Sequence, residues 1–151
     1  INVVKQRNIR HKVHEYSHDP SSESYGLEAA EKLGVAEARV FKTLIVNLDN
    51  KAFAVGVIPV SSMLSMKLIA KAAGAKKATM AAQADVERST GYVLGGVSPL
   101  GQKKRLKTLI DSSAKEFSTI YVSAGRRGLE IELNPEDLIT LVNGKLADIC
   151  Q

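Results

Sequence analysis

Apolar positions along this chain change spacing repeatedly, and the changes mark out its elements. Continuous apolar runs at 40–48 and 52–58 flank Asp49-Asn50-Lys51, which predicts a hairpin. Strict alternation occurs at Leu129, Ile131 and Leu133, interleaved with Glu130 and Glu132, the mark of a half-buried strand. Shorter runs predict strands at 11–16, 78–80, 92–94, 107–111, 119–123 and 146–149, the first closed by turn-rich residues at 18–22. Helical spacing places Leu27, Ala30 and Glu31 before Gly34, and Met66, Ile69, Ala70 and Ala73 before Gly74, so two helices end on glycine. A polar helix is predicted across 84–89. The last helix has the clearest start: Asn134 as cap, Pro135 in the first position, and Glu136 and Asp137 in the first turn. Its Leu138, Leu141 and Val142 face inward. Strands interspersed with single helices, hairpins among them, predict an α+β fold with a mixed sheet. No repeat, low-complexity tract or linker interrupts residues 1–151, so a single domain is expected.

One segment fits neither spacing. After the strand at 92–94, Gly95-Gly96-Val97-Ser98-Pro99-Leu100-Gly101 runs into Gln102-Lys103-Lys104-Arg105. Paired glycines after a strand let the main chain approach a ligand closely, with N–H groups free to donate. Pro99 fixes its own φ and restricts Ser98, so the loop should be stiff. A cradle of main-chain donors beside Lys103, Lys104 and Arg105 suits an anionic or carbonyl-bearing ligand. A plain turn between two strands is the other reading of the same residues.

Composition narrows the classes. A chain of 151 residues can bury a core without covalent staples. No apolar run reaches bilayer length and no signal-peptide pattern opens the sequence, so no membrane partner is expected. The lone Cys150 cannot form an internal disulfide, which fits a reducing cytoplasm. The net charge of +5 gathers in three groups: Lys67, Lys71, Lys76 and Lys77; Lys103, Lys104, Arg105 and Lys107; and Arg126 with Arg127. These are either solvated faces or phosphate contacts to nucleic acid. With no Trp and only seven other aromatics, a stacking platform for long single strands is not expected. His11 and His14 point to opposite faces of one strand, and nothing joins His18 to complete a tetrahedron, so no metal is expected. No nucleophile elbow, Ser/His/Asp grouping or Walker loop is present.

Lys42 is the main candidate for chemistry. On a strand over 40–48 it shares a face with Val40, Leu44 and Val46, where partial desolvation lowers a lysine's pKa or draws it toward an anion. The alternative is a packed stem with the ammonium reaching water.

Three ordered motifs together resemble the YbaK/EbsC family, free-standing relatives of the editing domain inserted in bacterial prolyl-tRNA synthetases. They are Val40-Phe41-Lys42-Thr43-Leu44, the glycine loop with its flanks from Arg88 to Lys104, and Ile120-Tyr121-Val122-Ser123-Ala124-Gly125-Arg126-Arg127-Gly128-Leu129. The likeness extends over about residues 13–149. It implies a curved mixed β-sheet closing toward a barrel, flanked by helices. It implies a cytoplasmic trans-editing deacylase that removes cysteine from Cys-tRNA(Pro), and from Cys-tRNA(Cys) in addition, with no cofactor. Lys42 falls on the lysine regarded as essential in these enzymes, and Gly95 and Gly96 lie where main-chain amides hold the developing oxyanion. Tyr16, Tyr25, Gly26, Thr43, Ser98, Ser123 and Glu130 match positions lining the family pocket. Local roles compete for several of these. Tyr16 could be an exposed strand-end aromatic, Ser98 a turn cap, and Thr43 and Ser123 partners of nearby backbone. Glu130 occupies a position that is often Asp in the family, and an outward strand residue is its alternative. The resemblance further implies contact with the aminoacyl-tRNA acceptor end, for which Lys103, Lys104 and Arg105 are the candidates, and a transient complex with prolyl-tRNA synthetase.

Size alone separates cysteine from proline poorly, since one methylene is worth about 1–3 kcal/mol. The expected mechanism therefore uses the substrate's own thiol as nucleophile. An Ala-tRNA(Pro) deacylase using water, a non-catalytic tRNA-binding module and a small-molecule esterase stay open as alternatives.

Overall fold

The computed structural model describes residues 2–7, 9–17, 25–92, 97–102 and 106–151, with the side chains of all of these but Asn2, Val3 and Tyr25. In chain order the elements are α1 (Asn2–Gln6), β1 (His11–Glu15), α2 (Tyr25–Leu33), β2 (Phe41–Leu48), β3 (Ala52–Pro59), α3 (Met66–Ala73), β4 (Ala78–Met80), α4 (Gln83–Thr90), β5 (Lys107–Asp111), β6 (Ile120–Ser123), β7 (Leu129–Leu133), α5 (Pro135–Val142) and β8 (Lys145–Ala147). Short 3-10 turns at Glu37–Arg39 and Ser112–Glu116, like α1, had no counterpart in the hydrophobic pattern. The last strand is displaced from its expected place at 146–149. Ile149 and Cys150 instead meet the segment before α3, through an Ile149 carbonyl that accepts from Ser65 N–H and a Leu64–Cys150 bridge. The expected strand at 92–94 and turn at 18–22 lie outside the described residues.

The hairpin forms where it was expected. Asp49 and Asn50 take φ of 53° and 55°, and Lys51 N–H donates to the Leu48 carbonyl at 2.9 Å. Two consecutive positive φ values give the turn whose twist matches paired strands, and Asn and Asp tolerate that conformation best after glycine. β2 and β3 lie within a five-stranded mixed sheet of order β4-β2-β3-β5-β8, in which β3–β5 and β5–β8 are parallel. Both faces of this sheet are covered, so its inner strands read as unbroken apolar runs. Phe41, Ile45, Val55, Val57 and Ile110 join one core cluster with α5 and the small sheet. Val46, Leu48, Ala54, Ile58 and Leu109 pack with Ile69, Ala70 and Ala73 of α3 on the other face.

β1, β7 and β6 form a second, antiparallel sheet. The two sheets meet at one parallel bridge, Val40 to Tyr121. The curved mixed sheet is therefore divided in two, and among the described residues no ladder closes it into a barrel. α2 lies on the small sheet, where Ala29 and Ala30 pack on Val40, Val60 and Tyr121. Small residues are needed there. A Cβ on Gly26 would fall 2.2 Å from Val60 Cγ1, so glycine is what lets the start of α2 approach β3. Caps act as predicted: Asn134 Oδ1 accepts from Glu136 N–H at 2.8 Å, and Gly74 ends α3 at φ 77°.

Candidate active site

The site forms where β2 loses a neighbour. Its C-terminal half pairs with β4 from Val46 onward, and Val40 just before it touches Tyr121 of β6. Between these points one edge of β2 is left without a partner strand among the described residues. The Val40 carbonyl accepts from Val60 toward β3, and the Ile45 carbonyl accepts from Ala81 on the opposite edge. Strand alternation then directs the N–H and C=O of Thr43 into the gap. The Thr43 side chain follows Phe41 and Ile45 toward the first core cluster, and its buried Oγ1 has no hydrogen-bond partner among the described residues. Such a hydroxyl is costly to leave unmade, and a local backbone role does not account for it.

Lys42 emerges on the other face of β2, half-buried, and burial lowers its pKa while Cys150 opposes the shift. The ion pairs among the described residues are His14–Glu132, Arg39–Glu132 and Arg88–Asp85, so no carboxylate there neutralises Lys42. Its desolvated ammonium is poised for an anion.

The bridge also fixes what stands beside Lys42. Val40 and Tyr121 belong to one cluster, so Lys42 and Ser123, each two residues further along parallel strands, share that face. Ser123 lies opposite Glu130, and Glu130 opposite His14. Lys42, Ser123 and Glu130 thus face the same side of β2, β6 and β7, with Ser123 and Glu130 paired and Lys42 just past the Val40–Tyr121 bridge. Glu130 is 6% exposed, and burial pushes its pKa up to about 8. The outward-facing alternative for Glu130 fails because α2 covers this face. Tyr16 is half-buried against the same cluster, its N–H donates to the Gly128 carbonyl, and burial raises its pKa. Glu130, Glu28 and Arg127 all act electrostatically on that phenol. The exposed-aromatic alternative for Tyr16 is likewise not what the fold adopts.

Local roles are present for the serines. Ser123 Oγ accepts from Gly125 N–H at 3.1 Å, and Ser98 Oγ accepts from Leu100 N–H at 3.2 Å. Ser98 is buried, Tyr92 Oη donates to the Leu100 carbonyl, and Gln102 Nε2 donates to the Ser98 carbonyl, so the described part of the loop is pinned. Gly95, Gly96, Lys103, Lys104 and Arg105 lie outside the described residues, as does the Tyr25 side chain. The loop's flanks touch β2 on the face away from Lys42 and reach the end of β6. Val97 and Leu100 pack with Phe41 and Ile45, and Tyr92 lies 2.9 Å from where a Gly125 Cβ would stand, two residues past Ser123.

Three contributors escaped the sequence reading. Glu28 is 5% exposed beneath α2, although a helical glutamate ordinarily signals solvent. Arg127 looked like half of a surface pair. Cys150, set aside for its terminal position, is the electrostatic neighbour of Lys42, and burial beside Asp111 pushes its thiol up to about 11. That thiol stays protonated at neutral pH and is no ready nucleophile. Among the described residues no three His, Cys, Asp or Glu side chains gather as a metal site, and no helix is long and apolar enough to cross a membrane.

A half-buried lysine, a serine and a buried acid share one face beside the open edge of β2, an arrangement suited to a charged ligand. Residues 20–141 match the family model of the aminoacyl-tRNA editing domain, and the chain belongs to that family. Over 150 residues it is 40% identical to a protein of Enterococcus faecalis named "Putative Cys-tRNA(Pro)/Cys-tRNA(Cys) deacylase EbsC", covering 99% of this chain and 90% of that one. The crystal structure of hypothetical protein APE2540 superposes with a TM-score of 0.88 at 25% identity, covering 99% of this chain and 97% of that chain. A structure described as a "putative trans-editing enzyme for prolyl tRNA synthetase" has a TM-score of 0.86 at 21% identity, with coverage of 99% and 93%, and shares the fold.

Proposed function

We propose that this chain is a trans-editing deacylase that releases cysteine from Cys-tRNA(Pro), with Cys-tRNA(Cys) as a second substrate. It acts in the cytoplasm, in transient complex with prolyl-tRNA synthetase. The observation that carries the reading is Lys42: a half-buried ammonium without a carboxylate partner among the described residues, at the open edge of β2. The Enterococcus relative's name supplies the substrate class.

In the proposed reaction the terminal phosphate or ribose of the acceptor end docks on Lys42. The aminoacyl group lies along this face toward Glu130, whose carboxyl faces the substrate α-ammonium. A carboxyl held near 8 ionises readily once a cation arrives. Cysteine's sulfur, as thiolate, attacks its own ester carbonyl. The new C–S bond closes a four-membered thioester, the bond from carbonyl carbon to ribose oxygen breaks, and that oxygen takes up the proton the thiol gave. Water then opens the cyclic thioester to free cysteine. The protein contributes positioning and main-chain donors from Gly95 and Gly96 toward the oxyanion. Cysteinyl-tRNA(Pro) methylated on sulfur tests the scheme. It should resist release under conditions that clear the unmodified substrate, and equal release of both would refute thiol attack.

A further inference from the structure

The longest stretch of this chain without an acidic residue is strongly basic. Between Asn50 and Ala84 there is no Asp or Glu, and five lysines stand there: Lys51, Lys67, Lys71, Lys76 and Lys77. The stretch therefore carries a net +5, and residues 88–110, with Arg88, Lys103, Lys104, Arg105 and Lys107, form another acid-free basic stretch. All five lysines are exposed. None takes part in the ion pairs found among the described residues. The nearby Asp49 has its carboxylate engaged by the main-chain N–H groups of Lys76 and Lys77, at 2.8–3.2 Å.

The fold lays these lysines out as a track leading away from the candidate site. α3 packs on the face of β2 that carries Leu44, Val46 and Leu48, which by alternation is the Lys42 face. The helix starts beside Ile149, next to Cys150, the electrostatic neighbour of Lys42. It ends at Gly74, and Lys76 and Lys77 then meet the β2–β3 turn that holds Lys51. Lys67 and Lys71 are one helical turn apart, about 6 Å along the axis, on the side away from buried Ile69, Ala70 and Ala73. From Lys42 to the turn is seven strand residues, about 23 Å.

We infer that this lysine track is the docking surface for the phosphate backbone of the tRNA acceptor stem, with the aminoacylated 3′ end reaching Lys42. The inference rests on the proposed deacylase reading and adds to it the direction in which the RNA leaves the site. Exposed ammonium groups outside any ion pair among the described residues, with Asp49 as the acid acting on Lys51 and Lys76, complement a polyanion and carry no base specificity. Selectivity among tRNAs then has to come from elsewhere.

The test uses the triple variant Lys71→Gln/Lys76→Gln/Lys77→Gln in the full chain. A control removes equal charge from exposed positions off the track, Lys5→Gln/Arg10→Gln/Lys115→Gln. Binding of uncharged tRNA(Pro) is measured against salt, and thermal melts confirm that both variants fold. The track variant should lower the slope of log affinity against log salt by roughly 2–3, and the control by less than about 1. With Cys-tRNA(Pro) its KM should rise about tenfold or more at unchanged kcat, while cleavage of cysteinyl-adenosine, which has no stem, stays as in wild type. Equal slopes for the two variants would overturn the inference. So would full tRNA affinity in a track variant that no longer binds prolyl-tRNA synthetase, which would assign the surface to a protein partner. Failure of wild type to cleave any ester would instead sink the deacylase reading, and the binding slopes would still decide the surface.

Discussion

Glu130→Gln isolates the cost of enclosing an ionisable group beneath α2. In the folded chain the carboxyl titrates at about 8 against an ordinary 4.5, with burial as the cause. Between those values the folded state holds a proton that the unfolded state has released, so stability is intact below pH 4.5 and declines as pH rises toward 8. At 1.36 kcal/mol per unit the penalty reaches about 3 kcal/mol at pH 7 and approaches roughly 5 above pH 8. Glutamine keeps the shape and does not titrate. Thermal melts of wild type and variant from pH 4 to 9 should therefore show a Tm difference that widens with pH in favour of the variant. At about 2–4 °C per kcal/mol for a chain of this length, the gain on going from pH 4 to 7 is about 10 °C. A constant offset between the two proteins says only how well the amide is hydrogen-bonded. A difference that stays flat with pH, or that favours wild type as pH rises, would refute a buried, neutral Glu130.

Substitutions at four positions test the packing that shapes the site. Thr43→Val removes a buried hydroxyl without a partner among the described residues and should raise stability to urea by about 1 kcal/mol; a loss of that size would mean the hydroxyl is satisfied in the free protein. Gly125→Ala places a Cβ 2.9 Å from the Tyr92 ring at φ 113°, and should cost about 1–3 kcal/mol in the same assay, with an unchanged midpoint counting against that contact. Gly26→Ala should destabilise through Val60, and Val60→Ala combined with it should recover part of the loss; simple additivity of the two would show that they do not touch.

The fold was legible where local chemistry and burial agree. The Asp49-Asn50 turn, the Asn134 cap and the glycine stops at Gly34 and Gly74 each follow from what those residues do to their own backbone. The end of the chain was harder to read, because Ile149 is held by a Ser65 contact across the fold rather than by a ladder. Lys42 could be placed on a strand face from alternation alone, but its neighbours could not, since the parallel Val40–Tyr121 bridge joins segments about eighty residues apart. Glu130 misled for the same reason. Alternation shows that it opposes Ile131, and only the position of α2 decides that its face is buried too.

Lys42 holds a cysteinylated acceptor end, in the proposed reaction, and the substrate's own sulfur does the chemistry. The direct measurement is release of amino acid from Cys-, Ala- and Pro-tRNA(Pro), by wild type and by Lys42→Ala. Wild type should clear cysteine at least about 100-fold faster than alanine or proline, and Lys42→Ala should lose that activity by a similar factor while remaining folded. Alanine released as fast as cysteine, or cysteine released at the wild-type rate without Lys42, would contradict it.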